Sequence, residues 1–316
     1  MTWVKLPLVE VDPPFVGWYG SRALSYHTDE YIDIGGSGGN ATLWPTTVSA
    51  GFGGSGFSDS INAFNASSSS FHTVVNFSTM GTAEAHSFTG FSTSRRYAAS
   101  AGNGLYGIAA GGSTLSSGGS EDPSYSTMNI CNCATLTGGE FIGDLTSAAG
   151  GARYGKSANN NDTYAFFNGG YRRFAGGTSA IAVVNFETYG DATSHGNSTK
   201  ERRWAAGAGD NSKCIILSGY NTGQYGSTFT DTEYFSPVSP ANATGWTNLN
   251  SRRSGLGAAA DGDKIVAMGG SNTHGYGFTT YSTIDRISIQ TSASAEDFGD
   301  LSSPHWKYGC SSGNPA

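Results

Sequence analysis

Apolar and polar positions along this chain alternate in short bursts, without long amphipathic stripes. In residues 252–270 (RRSGLGAAADGDKIVAMGG) an arginine pair leads a run of tiny residues, an Asp-Gly-Asp turn follows, and an apolar burst ends on a glycine doublet. The same plan recurs at 95–112 (RRYAASAGNGLYGIAAGG), 153–170 (RYGKSANNNDTYAFFNGG) and 202–220 (RRWAAGAGDNSKCIILSGY). Each reads as a β-hairpin. Tiny side chains let a strand crowd against its copies, Asp, Asn and Gly form the turn, and the closing glycines reach backbone angles that a Cβ disfavours. No stretch carries the three-to-four-residue apolar spacing of a helix, so the pattern predicts an all-β chain.

A second motif, a short apolar run with an embedded polar residue, recurs at 31–34 (YIDI), 74–77 (VVNF), 128–130, 182–186 (AVVNF), 233–235 and 284–289 (IDRISI). A polar segment bearing an aromatic follows each, and Trp44, Phe141, Trp246 and Phe298 are expected to pack from these outer strands onto the neighbouring unit. Four strand-like pieces in a period of roughly 40–57 residues predict the blade of a β-propeller.

Six such units can be counted, one of them split across the termini. The C-terminal PHWKYGCSSGNPA resembles an inner strand without a following partner, and residues 21–27 (SRALSYH) have the length and position to supply one. Pairing them closes the ring and removes its free edges. The weakest unit lies at 50–66, where no arginine or doublet marks the hairpin. The expected organisation is an N-terminal arm over residues 1–20 and a six-bladed propeller over 21–316.

Composition fits: 47 glycines and only 13% charged residues suit many short strands joined by turns, while recurring aromatics argue against disorder. A net charge of −7 makes a nucleic-acid backbone a poor partner. The N-terminal residues make a poor secretory signal, and no stretch of eighteen apolar residues exists to span a membrane. Cys131, Cys133, Cys214 and Cys310 lack zinc-like spacing and read as buried small residues. Six Asn-X-Ser/Thr sites (at 40, 65, 76, 161, 197 and 242) are read as products of a chain rich in Asn, Ser and Thr.

The order of inner strand, second strand ending in Gly-Gly, apolar third strand and aromatic-bearing fourth strand resembles the kelch repeat, whose usual Tyr and Trp positions are kept only in part. More narrowly, YIDI and GNAT, FIGDL and EDFGDL, and the arginine that precedes each doublet are similar to kelch-like repeats in virion proteins of tailed phages, especially marine phages of cyanobacteria. The resemblance spans residues 21–316. It implies a particle component made in the host cytoplasm, a propeller attached to capsid, tail or fibre.

Three groups of residues could carry recognition. Trp3, Phe15 and Trp18 in the arm could fold back over the propeller or dock on another virion protein. Arg96, Arg153, Arg203, Arg253 and Lys307 stand before inner strands, where a channel mouth gathers them; they could bind an anion or tie blades together. Tyr171, Tyr220 and Tyr276 follow doublets and could line a rim that binds a host glycan. Catalysis finds little support: the six histidines are scattered and none sits in a metal or triad spacing. The sialidase turn S-x-D-x-G-x-x-W is absent, and neither a metal nor a cofactor is expected. The expected function is a non-catalytic structural and interaction protein of the particle, with a lectin-like carbohydrate-binding propeller, and after it a glycan-active enzyme, as the alternatives.

Overall fold

The computed structural model describes residues 19–26, 28–46, 55–66, 72–86, 95–114, 124–172, 175–221, 227–272, 279–306 and 310–313. They contain no helix and build six four-stranded antiparallel sheets. Five blades take their strands in chain order. Blade 2 holds Ser55–Ser58, Asn62–Ala66, His72–Asn76 and Glu84–His86; blade 3 holds Ala99–Gly102, Tyr106–Ala110, Thr127–Asn132 and Thr137–Asp144. Blade 4 comprises Ser157–Asn160, Tyr164–Asn168, Ala180–Asn185 and Thr193–Asn197, and blade 5 Ala206–Gly209, Cys214–Leu217, Asp231–Phe235 and Thr244–Asn248. Blade 6 is built from Gly257–Ala260, Lys264–Met268, Tyr281–Ser288 and Glu296–His305. The protein is a six-bladed β-propeller.

Blade 1 is assembled from both ends of the sequence. Its inner strand Cys310–Gly313 pairs antiparallel with Arg22–Ser25, and Glu30–Asp33 and Thr42–Leu43 follow. The expected closure is therefore present. The unit at 50–66, which lacks the arginine and the doublet, still forms the inner hairpin of blade 2.

Each inner hairpin in blades 2 to 6 turns on a side-chain cap. Asp59, Asn103, Asn161, Asp210 and Asp261 each accept, through Oδ1, the backbone N–H groups two and three residues on. A short polar side chain at this position replaces a missing backbone partner, which is why Asx residues punctuate the repeats. The inner strands of blades 2 to 6 present mostly Gly, Ala and Ser, with Phe57, Asn160 and Tyr19 among them, to the cavity between them. A Cβ on Gly102 would sit 2.8 Å from the Phe57 ring, so residues without side-chain bulk are required where the strands converge.

Blades are stitched together where the outer strand meets its neighbour. Asp144 and Asp300 carbonyls accept the N–H of Ala192 and Ala41, and Ile142 and Phe298 carbonyls accept those of Gly190 and Gly39. Gly143 and Gly299 adopt φ of 149° and 145°, and a Cβ on either would run into the backbone of the next blade. The same seam explains one Asn-Ala-Thr site: Asn242 takes the N–H of Asn197 on its side chain while Ala243 donates to the Asn197 carbonyl.

One expected packing residue is misplaced by a single position. Phe141 is 60% exposed, whereas Trp44 and Phe298 are buried and Trp246 is half-buried. FIGDL aligns with EDFGDL through Ile142-Gly143-Asp144-Leu145 and Phe298-Gly299-Asp300-Leu301, so Ile142 occupies the inward position. Alternation along a strand sends the preceding Phe141 outward.

Candidate functional site: the arginine-led rim

The segment before each inner strand is fixed by a repeated hydrogen bond. The second glycine of the doublets, Gly112, Gly170 and Gly270, and Gly219 of the corresponding Ser218-Gly219 pair donate their N–H groups into the next blade, to the carbonyls of Arg153, Arg202, His305 and Arg253 respectively. These residues, with Arg95 in blade 3, therefore share one structural position, four or five residues before the inner strand.

In blades 5 and 6 the arginine at this position is a buried latch. Arg253 places Nη2 2.7 Å from Asp285 Oδ2, and Nη1 donates to the Gly269 and Thr283 carbonyls. Arg202 pairs with Glu233 and with Asp231, and donates to the Ser218 carbonyl. The acids complete the knot by accepting backbone N–H groups from the connection entering the blade: Asn250 donates to Asp285 and Thr199 to Glu233. In blade 1 Glu30 accepts the N–H of Ser302 in the same manner, with His305 in the arginine's place. Burial holds the His305 imidazole below its ordinary pKa, against the pull of Glu30. Blade 3 uses a neutral version, Arg95 donating to Asn129 Oδ1 and the Thr127 carbonyl. Desolvation lowers the pKa of both Arg95 and Arg253, with Asp285 opposing it at the latter.

Blade 4 breaks the rule. Ala182 stands in its third strand where blades 5 and 6 carry Glu233 and Asp285, and Arg153 turns outward to reach the Gly176 carbonyl at 3.3 Å. Lys156 fills the vacated interior, donating from Nζ to the Gly169 carbonyl at 2.8 Å. Burial, with a further push from Arg153, depresses its pKa to about 7.

The next residue along, Arg96, Tyr154, Arg203, Ser254 and Trp306 in blades 3, 4, 5, 6 and 1, borders the place where the connections of successive blades meet, with Tyr154 and Ser254 buried. Around it runs a chain of backbone bonds, Gly155 N–H to Tyr97 O, Trp204 N–H to Gly155 O and Gly255 N–H to Trp204 O, at 3.0, 2.7 and 2.7 Å. Tyr97, Tyr154 and Trp204 form a buried aromatic cluster there, with Tyr171 and Tyr220 packed against it and Trp306 edge-on to Trp204. Arg203 lies among these rings, its Cζ 4.1 Å from the Trp204 centroid, 4.4 Å from Tyr171 and 5.0 Å from Tyr220.

This arrangement redistributes the expected site residues. Arg253 is enclosed within blade 6 and offers no charge at a mouth, because its guanidinium is held by Asp285. Arg153 is half-buried beside Gly176, and Arg96 bridges to Ser113, where blade 5 has the pair Arg203 and Tyr220. Arg203, Tyr171 and Tyr220, drawn from two separate expected groups, meet at one point. Trp3, Phe15, Trp18, Tyr276 and Lys307 lie outside the described residues. Missed by sequence reasoning were the aromatic cluster of Tyr97, Tyr154 and Trp204 and the latch carboxylates Glu30, Glu233 and Asp285; the embedded acid of the third-strand motif was the available signal for the last two.

Cys131, Cys133 and Cys214 are buried free thiols, and burial raises the pKa of Cys214. Among the described residues no group of three or more His, Cys, Asp or Glu is disposed to hold a metal ion. No family model matches the chain, and no curated protein is similar to it in sequence.

Proposed function

We propose that this propeller is a non-catalytic structural and interaction protein of a tailed-phage particle, held on capsid, tail or fibre by its N-terminal arm and free to contact the host surface through the Arg203 rim. The kelch-like repeats of phage virion proteins suggest the setting. The observation that carries the interaction role is the contrast between arginines: Arg202 and Arg253 are buried and spent on carboxylates, whereas Arg203 is partly exposed and, among the described residues, its guanidinium is held by aromatic rings alone.

A lectin-like role is favoured by a separate feature, the convergence of Tyr171 and Tyr220 on that arginine. Removing residues 1–18 separates attachment from recognition. The shortened chain is expected to lose co-sedimentation with particles while keeping rim binding; retained co-sedimentation would exclude the arm as the anchor.

A further inference from the structure

The guanidinium of Arg203 is unusually placed for a polar group. Three rings hold it, one from blade 4 (Tyr171) and two from blade 5 (Trp204, Tyr220), so its orientation is fixed before any ligand arrives. Its Nε is buried without an acceptor, and among the described residues none accepts a hydrogen bond from the guanidinium. The capacity left over is the paired Nη edge. Arg203 also has no acidic partner among the described residues, in contrast to Arg202 two atoms of backbone away in the same strand pair.

Local charge points the same way. Arg172 is exposed directly after Tyr171, and its positive charge, after burial, helps to lower the pKa of Arg153, with Glu201 opposing. On a chain of net charge −7 a guanidinium with no acid against it among the described residues draws anions to its own edge. Aromatic rings over the guanidinium leave access through its edge, and a planar carboxylate meets that edge with two parallel hydrogen bonds. Among the described residues the side chains packed around the guanidinium are the rings of Tyr171, Trp204 and Tyr220, and the two tyrosines carry hydroxyl groups. Such a setting suits a polyhydroxylated ligand better than the apolar stem of an Asp or Glu side chain.

We infer that the rim where Tyr171, Arg203, Trp204 and Tyr220 meet binds the carboxylate of an acidic sugar residue, such as a uronic acid of a surface polysaccharide. The inference rests on the recognition half of the proposed function and supplies its ligand class. It also changes the role of the tyrosines: they orient the arginine that reads the sugar's charge, spending a ring face on the guanidinium.

Calorimetric titration of the full chain with glucuronate, glucose and Nα-acetylglutamate amide tests it. Glucuronate is expected to bind at least about tenfold more tightly than either comparator, and Arg203→Lys, which keeps the charge but loses the fork, is expected to weaken it by about tenfold. Tyr171→Phe, which removes one donor from an intact ring stack, is expected to weaken it several-fold and serves if the arginine variants unfold. Equal affinity for glucose, unchanged affinity in Arg203→Lys, tighter binding of the glutamate derivative, or no heat with the folded wild-type chain would each overturn the inference. Particle incorporation of Arg203→Lys is measured alongside. A chain that enters particles without binding glucuronate breaks only the ligand assignment, whereas one that binds glucuronate but is absent from particles breaks only the virion reading.

Discussion

Arg253 and Asp285 face each other at 2.7 Å inside blade 6, with side-chain exposures of 0% and 2%. Burying two charges is costly, and the cost is offset here because each also makes hydrogen bonds to backbone: Arg253 to the Gly269 and Thr283 carbonyls, Asp285 from Asn250 N–H. The pair anchors the connection from blade 5 to the sheet of blade 6. Asp285→Ala strands the guanidinium and is expected to cost about 3–5 kcal/mol in urea unfolding. The double variant Arg253→Met/Asp285→Leu, which removes both charges, is expected to lose less than Asp285→Ala alone.

Lys156 gives the protein a pH dependence with a definite sign. Unfolded, the lysine keeps its proton up to about 10.5; folded, it keeps it only to about 7. Between these values the unfolded chain binds more protons, so this group makes stability rise with pH, and its full cost is felt below the lower value. Lys156→Met is expected to raise the melting temperature at pH 7 and to flatten its rise between about pH 7 and 9.

Register in the outer strand of blade 3 separates two adjacent apolar residues. Ile142→Ala is expected to cost about 2–5 kcal/mol, because the side chain is 9% exposed and packs in the core shared by blades 3 and 4. Phe141→Ala should change stability by no more than about 0.5 kcal/mol. Chemical denaturation of the two variants in parallel checks the assignment of faces.

Closure through Cys310–Gly313 joins the two ends of the chain in one sheet. A chain lacking residues 307–316 exposes an inner edge in blade 1, and it is expected to lose its single sharp thermal transition and to associate through that edge.

The architecture was largely legible because it is written six times. Gly, Asx and the alternating apolar bursts are local signals, and repetition separates them from chance, which is how even the unmarked hairpin at Ser55–Ser58 and Asn62–Ala66 could be placed. The site was less legible because it depends on register between blades. Arg153 matches Arg202, and Arg96 matches Arg203, so a ring assembled from Arg96, Arg153, Arg203 and Arg253 mixes two structural positions. Whether an arginine turns inward depends on a residue some thirty positions away, Asp285 for Arg253 but Ala182 for Arg153, and adjacency in sequence carries no trace of it. Sequence spacing also could not show that Tyr171 and Tyr220, nearly fifty residues apart, share one guanidinium.

The most direct measurement of the proposed role is the protein composition of purified particles whose genome encodes this chain, by quantitative mass spectrometry. The chain is expected in fixed stoichiometry to the major capsid or tail proteins, with a six-bladed disc at the corresponding copy number in particle density. Its absence from particles, when it is present in the infected-cell lysate, would contradict the virion reading.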